Sequence, residues 1–228
     1  MAKTKIEWCD YTINPVKGLC PMDCHYCYAR RMYKRFKWNE TVRFDPWVYE
    51  SGSPIPSGSK VFVGSTIELF GDWIKPEWME DILDYCASAP SVTHIFLTKC
   101  PQNLVKWSPF LKNCWVGVSA TNWMQFSNAL GYLAGIKAPV KFLSFEPLLE
   151  RIQLDMLQKM LFPRVINWLI IGQQTPVKAL TIPSKAWIDE ITQEADKSNI
   201  PVFLKNNLQC VFDINCQAKL RQEFPVIK

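Results

Sequence analysis

Three cysteines stand close together near the start of the chain, with a spacing that is typical of metal ligands. Cys20, Cys24 and Cys27 form a C-x3-C-x2-C run, and Tyr26 directly precedes the last of them. Thiolates are soft ligands that favour zinc, copper(I) or iron–sulfur clusters. A structural zinc site requires four protein ligands, and no matching fourth ligand lies nearby in the sequence. On a four-iron cluster, three thiolates would leave one iron open to a substrate or cofactor.

Two plainer interpretations of the cysteine run stay open. The three side chains could be buried thiols, because free cysteine often packs as a small hydrophobe. They could also be three ligands of a zinc site, which His25 or a distant cysteine would complete. His25 is a poor fourth ligand for the same metal, since it lies between two of the cysteines and adjacent side chains point apart.

Five further polar side chains follow short apolar runs directly or within a few residues. They are Ser65, Glu68, Lys99, Ser119 and Glu146. Ordinary loops are polar as well, but lysine and glutamate beside a buried run are less ordinary, because burying an unpaired charge is costly. We therefore treat these five residues as candidate cofactor-binding groups.

The apolar runs themselves predict a parallel sheet, because short and nearly continuous hydrophobicity is typical of strands buried on both faces. The predicted strands are 60–64, 94–98, 115–119, 141–145, 168–172 and 201–205, with an earlier one within 6–14. Predicted helices lie between them at 23–37, 75–89, 122–136, 154–161 and 184–198. Pro76 and Ser184 suit the first turn and the N-cap of two of these helices.

Strand and helix alternation of this regularity implies βα units with right-handed crossovers. We expect one α/β domain over 1–228, a partial or compact TIM-like (β/α)6-7 barrel, with its core at 1–205 and a C-terminal tail at 206–228. The Ser-, Gly- and Pro-rich segment 50–60 is expected to be a loop. Since the chemistry of such barrels sits at the C-terminal ends of the strands, the polar candidates should share one edge of the sheet.

The composition fits a folded protein in a reducing compartment. Hydrophobic residues make up 48% of the 228 and charged residues 21%, which is ordinary for a globular chain and argues against disorder. No stretch resembles a signal peptide or a membrane span, so we place the protein in the cytoplasm without a membrane partner. In that compartment nine cysteines favour metal ligation and buried thiols over disulfides, and the spacing of Cys210 and Cys216 indicates little.

The helix predicted after the cysteines is both basic and aromatic. Its basic residues Arg30, Arg31, Lys34, Arg35 and Lys37 are interleaved with Tyr28, Tyr33, Phe36 and Trp38. Such a helix could contact phosphates and stack on bases. The interpretation we favour from the sequence alone is plainer: a solvated helix face on the outside of the barrel, with the rings turned inward. The net charge of +5 speaks only for non-specific attraction.

The cysteine run resembles the signature of radical S-adenosylmethionine (SAM) enzymes. In that superfamily three cysteines hold a 4Fe-4S cluster in a partial (β/α)6 barrel, and the open iron holds the amino and carboxylate groups of SAM. Reductive cleavage of SAM then gives methionine and a 5′-deoxyadenosyl radical. The resemblance implies that Cys20, Cys24 and Cys27 are the cluster ligands. It also implies that Tyr26 packs near the adenine and that a flavodoxin- or ferredoxin-type protein donates the electron.

Short blocks along nearly the whole chain resemble, more closely, a phage-associated family of radical-SAM-like proteins. The blocks are 6–8, 14–16, 27–29, 97–99, 116–119, 142–144, 146–148 and 203–205. That family is similar to spore photoproduct lyase, a DNA-repair radical SAM enzyme. By this resemblance Ser65, Lys99 and Ser119 lie where the methionine carboxylate and the ribose of SAM are held, a role that suits ammonium and hydroxyl donors. The Gly-Gln-Gln segment 172–174 departs from a Gly-Gly-Glu-like family segment.

The substrate class stays open between several alternatives. DNA or RNA is the leading one, because of the basic helix, the ten tryptophans and the lyase resemblance. A nucleotide-like small molecule is the main rival and predicts a deep pocket closed by the tail 206–228. A peptide comes third. A non-enzymatic iron–sulfur or zinc module that binds nucleic acid is the fourth. The sequence does not indicate an oligomeric state.

Overall fold

The computed structural model describes residues 2–49, 55–154 and 156–226. Ten strands are present in these ranges: β1 Ala2–Lys3, β2 Tyr11–Ile13, β3 Val16–Lys17, β4 Arg43–Phe44, β5 Lys60–Val63, β6 Thr93–Thr98, β7 Cys114–Ser119, β8 Val140–Phe145, β9 Trp168–Ile171 and β10 Val202–Leu204. Eight of them form one sheet in the order β1-β2-β5-β6-β7-β8-β9-β10. Only β1 is antiparallel to its neighbour, so seven strands run parallel. The predicted parallel half-barrel is confirmed.

Six α-helices accompany the strands. They are α1 Tyr28–Phe36, α2 Pro76–Ser88, α3 Trp123–Ala134, α4 Met156–Val165, α5 Lys185–Lys197 and α6 Gln209–Phe212. Pro76 begins α2, and the Ser184 hydroxyl accepts the Ala186 N–H at the start of α5, both as predicted. Part of the predicted loop 50–60 and one residue of the predicted helix 154–161 lie outside the described residues. Among the described helices, none is long and apolar enough to cross a bilayer.

The helix predicted at 23–37 is shorter than expected, and the difference shapes the cysteine region. It begins only at Tyr28 and ends at Phe36. Residues 20–27 instead form successive turns, in which Asp23 takes a left-handed φ of 48°. A left-handed residue interrupts a right-handed helix, so the three cysteines lie on a turning loop and not on one helix face.

A single tryptophan shows how strongly the sheet curls. Trp8, in the segment before β2, lies 4.8 Å from Phe62 of β5 and 6.5 Å from Trp168 of β9, measured between ring centroids. Three strands separate β5 from β9 in the sheet order. In a flat sheet those strands would stand about 19 Å apart. The inner face therefore curls around Trp8, which fills the space between β5 and β9.

The two faces of the sheet have different partners. Aromatic rings from alternate positions line the inner face, where Trp115, Phe142 and Phe203 surround Trp168 at centroid distances of 5.2–6.2 Å. The other positions face outward into a larger apolar core shared with the helices. Large aromatic rings therefore fill the interior of the barrel, and the room for a reaction site lies at the strand ends.

The C-terminal tail begins at the strand ends, where the Asn207 amide donates to the Gln173 carbonyl at 2.8 Å, and later returns along β10. Its residues 221–223 pair with β10: the Leu204 N–H donates to the Arg221 carbonyl at 2.8 Å and the Glu223 N–H to the Val202 carbonyl at 3.0 Å. Phe224 then packs on Trp168 and beneath the Lys60 ammonium, at the N-terminal ends of β9 and β5. The last described part of the tail therefore lies at the end of the barrel opposite the C-terminal strand ends.

The expectation that this chain contains no disulfide was wrong. Cys210 and Cys216 are bonded, with their Cα atoms 4.1 Å apart. Asp213 brings them together, because its carboxylate accepts the N–H groups of Asn215 and Gln217 and folds the segment into a turn. Cysteine count and presumed compartment could not reveal this local turn. The predicted core cysteines, by contrast, are confirmed as buried: Cys9, Cys86, Cys100 and Cys114.

Burial of His94 makes a pH-dependent contribution to stability. The imidazole, on β6, is fully buried against the Tyr85 ring, and burial lowers its pKa from 6.5 to about 4. Below pH 6.5 the unfolded chain takes up this proton first, so stability falls as pH drops toward 4, by about 3 kcal/mol in total. Urea unfolding from pH 7 to 4.5 should show this loss in the wild type and a smaller one in His94→Gln. Exposed His25→Gln should follow the wild type, and parallel profiles for all three would contradict the assignment.

Candidate active site at the strand ends

The cysteine loop, residues 18–27, begins at a glycine that the antiparallel strand pair β3–β4 requires. Gly18 has a φ of +126°, and a Cβ there would lie 2.6 Å from the Cα of Val42. Its N–H donates to the buried Tyr33 hydroxyl of α1 at 2.8 Å. Any larger residue would displace the loop from both partners, because this φ favours glycine and the space is occupied by backbone.

Arg30 of α1 holds the loop from the other side. Its guanidinium donates to the Cys20 carbonyl at 2.7 Å and pairs with the Asp23 carboxylate at 3.0 Å. Cys27 occupies the N-cap position of α1, and its N–H donates to the Cys24 carbonyl at 3.0 Å. The N-terminus of α1 therefore lies directly at the cysteine loop.

The Cys20 thiol lies in a half-buried position at the C-terminal edge of the sheet. Burial raises the pKa of the Cys20 thiol, and the backbone N–H of Glu68 opposes this by donating to Sγ at 3.5 Å. A thiol must lose its proton to bind a metal. Ligation of iron or zinc at Cys20 is therefore favoured as pH rises.

Glu68 is a predicted cofactor-binding residue, and both of its carboxylate oxygens accept hydrogen bonds from other groups of this chain. Oε1 accepts the Thr98 hydroxyl at 2.6 Å and the Phe70 N–H at 2.9 Å. Oε2 accepts the Lys99 N–H at 2.7 Å. The side chain is buried and ties the loop after β5 to the end of β6. Glu68 thus positions Cys20 and Lys99.

This arrangement predicts a clear stability loss for Glu68→Gln. Three donors lose a charged acceptor, and the new amide N–H must face at least one of them. Hydrogen bonds to a charged group and unsatisfied buried donors each carry about 1–3 kcal/mol, so the free energy of unfolding should fall by at least that amount. Glu80→Gln on the exposed face of α2 is the matched control for urea unfolding. Equal stabilities of the two variants would show that the Glu68 contacts contribute nothing.

Lys99 and Tyr26 were predicted as site residues from separate parts of the sequence, and the structure brings them together. The Lys99 ammonium lies 5.9 Å from the centre of the Tyr26 ring. Burial, followed by the nearby Cys24 and Cys27 thiols, raises the pKa of Tyr26, so the ring stays neutral. No carboxylate in the described ranges lies within ion-pair distance of Lys99. A half-buried cation without a counter-ion is thus placed beside the cysteine loop.

Ser65 lies next to the same loop. The sequence did not indicate its hydrogen-bond partners. Its hydroxyl donates to Asn14 Oδ1 at 3.1 Å, and its carbonyl accepts the Tyr28 hydroxyl at 2.6 Å. Asn14 directly follows β2 and also accepts the Thr66 N–H at 3.1 Å. The sequence could have indicated Asn14 through its position, because it directly follows a strand, as several of the predicted site residues do.

Ser119 lies deeper, on the inner face of the barrel. It ends β7 and pairs in register with Ser144 of β8. Both are buried, and the Ser144 hydroxyl has no hydrogen-bond partner among the described residues. Buried hydroxyls normally have a partner. An unpaired hydroxyl at the base of the strand ends is therefore available to a bound group.

Glu146 belongs to an ionic cluster at the C-terminal ends of β8 and β10. It pairs with the Lys205 ammonium, which also lies 3.9 Å from Glu7. Burial alone would lower the pKa of Lys205, but Glu146 and then Glu7 reverse this and raise it, so the lysine stays charged. A Cβ at Gly172 would lie 3.0 Å from Lys205 Cδ, and glycine therefore makes room for this pair. With two carboxylates and one ammonium, this cluster has a net negative charge.

The cysteine loop offers three free thiols, donors of the soft type that zinc and iron–sulfur clusters use. No three His, Cys, Asp or Glu side chains in the described part of the chain converge on a point where one metal ion could sit. Zinc requires such convergence, with sulfur at about 2.3 Å. In a 4Fe-4S cluster each thiolate binds a different iron, so its ligands stand around a larger body. Cys20, Cys24 and Cys27 lie on one turning loop, and their thiols are free.

Two solved structures share this fold. Spore photoproduct lyase complexed with dinucleoside spore photoproduct matches 86% of this chain with a TM-score of 0.50 and 13% identity. A doubly substituted mutant of the lyase, with bound AdoMet and dinucleoside spore photoproduct, matches the same share with a TM-score of 0.50 and 11% identity. The chain spans about 63% of the length of these lyase chains. At such identities the likeness shows a common half-barrel fold.

Sequence comparison places the chain in a family. No curated protein matches it significantly. The model of the family described as "Protein of unknown function (DUF5131)" matches residues 3–211, which include the cysteine loop and all seven parallel strands. The chain therefore belongs to the DUF5131 family.

Proposed function

We propose that this protein is a radical SAM enzyme that acts on a nucleic-acid substrate, in a lyase, repair or base-modification reaction. Cys20, Cys24 and Cys27 would hold a 4Fe-4S cluster, and SAM would bind beside it. The observation that supports this most is the unpaired Lys99 ammonium over Tyr26, next to three cysteines at the end of a half-barrel sheet. A cation without a counter-ion at a cysteine loop is suited to the carboxylate of SAM.

Lys99, Ser119 and Tyr26 take the roles that the resemblance implies, and their positions support this. When bound, the cluster and SAM would supply a 5′-deoxyadenosyl radical. Lys99 binds the methionine carboxylate, and Glu68 fixes the backbone of Lys99 for that contact. Ser119 donates to the ribose, and Tyr26 packs against the adenine. The inner-face position of Ser119 and the loop position of Tyr26 are consistent with these roles.

Nucleic acid is supported over a small molecule by two features. The small-molecule alternative requires the tail as a roof, but after Asn207, which contacts Gln173 and Thr175, the tail returns to the opposite end of the barrel, where Phe224 packs on Trp168. The neighbouring lyase structures hold a dinucleoside spore photoproduct. A flavodoxin- or ferredoxin-type electron donor, a cytoplasmic location, a phage setting, and a core 1–205 with a tail 206–228 stay predictions.

The test is SAM cleavage by protein reconstituted anaerobically with iron and sulfide. With dithionite, we expect methionine and 5′-deoxyadenosine in equal amounts, and faster release of both when lesion-bearing DNA is added. Stimulation by free nucleotides but not by strands would replace the substrate class with a nucleotide-like molecule. Absence of 5′-deoxyadenosine from iron-loaded, reduced protein would reject the radical SAM assignment.

A further inference from the structure

The end of α1 carries a stacked aromatic pair that faces solvent. The rings of Phe36 and Trp38 lie 5.4 Å apart at 22°, and the two residues are 51% and 42% exposed. Lys37 takes a left-handed conformation that turns the chain back, so the Trp38 N–H donates to the Tyr33 carbonyl at 3.2 Å. The indole also packs edge-on against the buried Tyr33 ring at 5.3 Å. The pair is therefore held in place before any ligand arrives.

Unpaired positive charge surrounds these rings. The Arg35 guanidinium lies 5.2 Å from the centre of the Phe36 ring, and α1 contains no acidic residue. Within the described ranges, neither Lys34, Arg35 nor Lys37 pairs with a carboxylate. A merely solvated face would mix both signs of charge and turn its rings inward, so the plainer interpretation favoured from the sequence does not describe this end of the helix.

The basic residues of α1 divide into two groups with different tasks. Arg30 holds the cysteine loop, and the Arg31 guanidinium donates to the Thr175 carbonyl in the loop after β9. These contacts fix the first turn of α1 at the strand ends. The last turn, with Lys34 and Arg35, points its charges at solvent and is free to meet a polyanion.

We propose that Lys34, Arg35, Phe36, Lys37 and Trp38, the α1 platform, bind a single-stranded segment that flanks the reacting nucleotide. The proposal rests on the nucleic-acid substrate proposed above. Exposed rings stack on bases without regard to sequence, and basic side chains beside them neutralise phosphates. The net negative cluster of Glu7, Glu146 and Lys205 lies near the first turn of α1 and disfavours phosphates there, so the strand leaves the site over the basic last turn of α1.

Helix length sets the distance from the site to the platform. From Cys27 to Phe36 the helix rises by about 13 Å, at 1.5 Å per residue. At a rise of about 3.4 Å per nucleotide, a strand needs about four nucleotides to cover that distance. A dinucleotide held at the cysteine loop therefore does not reach the platform, whereas an octanucleotide does.

Fluorescence anisotropy with labelled oligothymidylates of two, four, eight and twelve nucleotides tests the proposal on the reconstituted protein. We expect Phe36→Ala/Trp38→Ala to weaken binding of the octamer by about tenfold or more and to leave dimer binding unchanged. Tyr132→Ala, which removes a ring of similar exposure from α3, is the matched control and should bind as the wild type does. Trp38→Phe, which keeps a ring, should retain most of the affinity.

Salt dependence gives a second readout. Replacing Lys34, Arg35 and Lys37 with glutamine should lower the slope of log affinity against log salt by about two, at about 0.7 per phosphate contact. The same change at exposed Lys112 and Lys137 should not.

Several outcomes would overturn the platform. They are unchanged octamer binding in the folded aromatic variant, an equal loss in the Tyr132→Ala control, or an unaltered salt slope. If the wild type binds no oligonucleotide at all, the nucleic-acid substrate of the proposed function fails as well. Iron content and SAM cleavage are measured without DNA, so a failure of the cluster assignment would appear separately.

Discussion

Cys24→Ala is expected to abolish SAM cleavage and to reduce iron after anaerobic reconstitution from about four atoms per chain to a small fraction of that. Cys24 is the middle member of the loop, and its carbonyl also accepts the Cys27 N–H that leads into α1. Removing its sulfur leaves two thiolates, and a cluster of this kind needs at least three from the protein here. Iron, sulfide and 5′-deoxyadenosine are measured on the same preparation.

The matched control removes two cysteines that lie outside the loop. Cys210→Ser/Cys216→Ser breaks the disulfide that joins α6 to the turn after it and leaves Cys20, Cys24 and Cys27 untouched. It should load iron and cleave SAM as the wild type does. If instead Cys24→Ala kept its iron while the control lost it, the ligands would have to be sought in the tail.

Lys99→Ala is expected to weaken SAM binding by about tenfold to a hundredfold with no loss of iron. Its ammonium is half-buried over Tyr26 and has no carboxylate partner among the described residues. A charge-assisted hydrogen bond contributes about 1.5–3 kcal/mol, which corresponds to that range of affinity. Equilibrium dialysis of labelled SAM against the reconstituted variant measures the change.

Two variants separate a direct contact from a general effect of charge. Lys106→Ala removes an exposed lysine that pairs with Asp72, and SAM affinity should not change. Lys99→Arg keeps the charge and should recover part of the affinity. Unchanged SAM binding in iron-loaded Lys99→Ala would remove Lys99 from the site, together with the alignment by resemblance that placed it there.

Much of the fold could be predicted because strands buried on both faces leave a plain signal. The predicted strands 94–98 and 141–145 differ from β6 and β8 by one residue at one end. The start of α1 could not be read in this way, since one left-handed residue, Asp23, ends helical continuity without a strong sequence signal. The disulfide escaped prediction for a similar reason: it depends on a local turn around Asp213.

The candidate site likewise contains residues that the sequence could indicate and residues that it could not. Cys20 could be selected from the spacing of the cysteine run, and Lys99 because it follows a predicted strand. Their supports could not, because contacts between distant segments decide them: Arg30 reaches the Cys20 carbonyl, and Asn14 reaches Ser65. Such contacts become visible only once the curvature of the sheet is known.

Metal and sulfide analysis of the wild-type protein after anaerobic reconstitution tests the central claim most directly. If Cys20, Cys24 and Cys27 hold a 4Fe-4S cluster, the chain should contain about four iron and about four sulfide and almost no zinc. One zinc per chain, with no iron or sulfide retained, would contradict the account and leave a zinc site in its place.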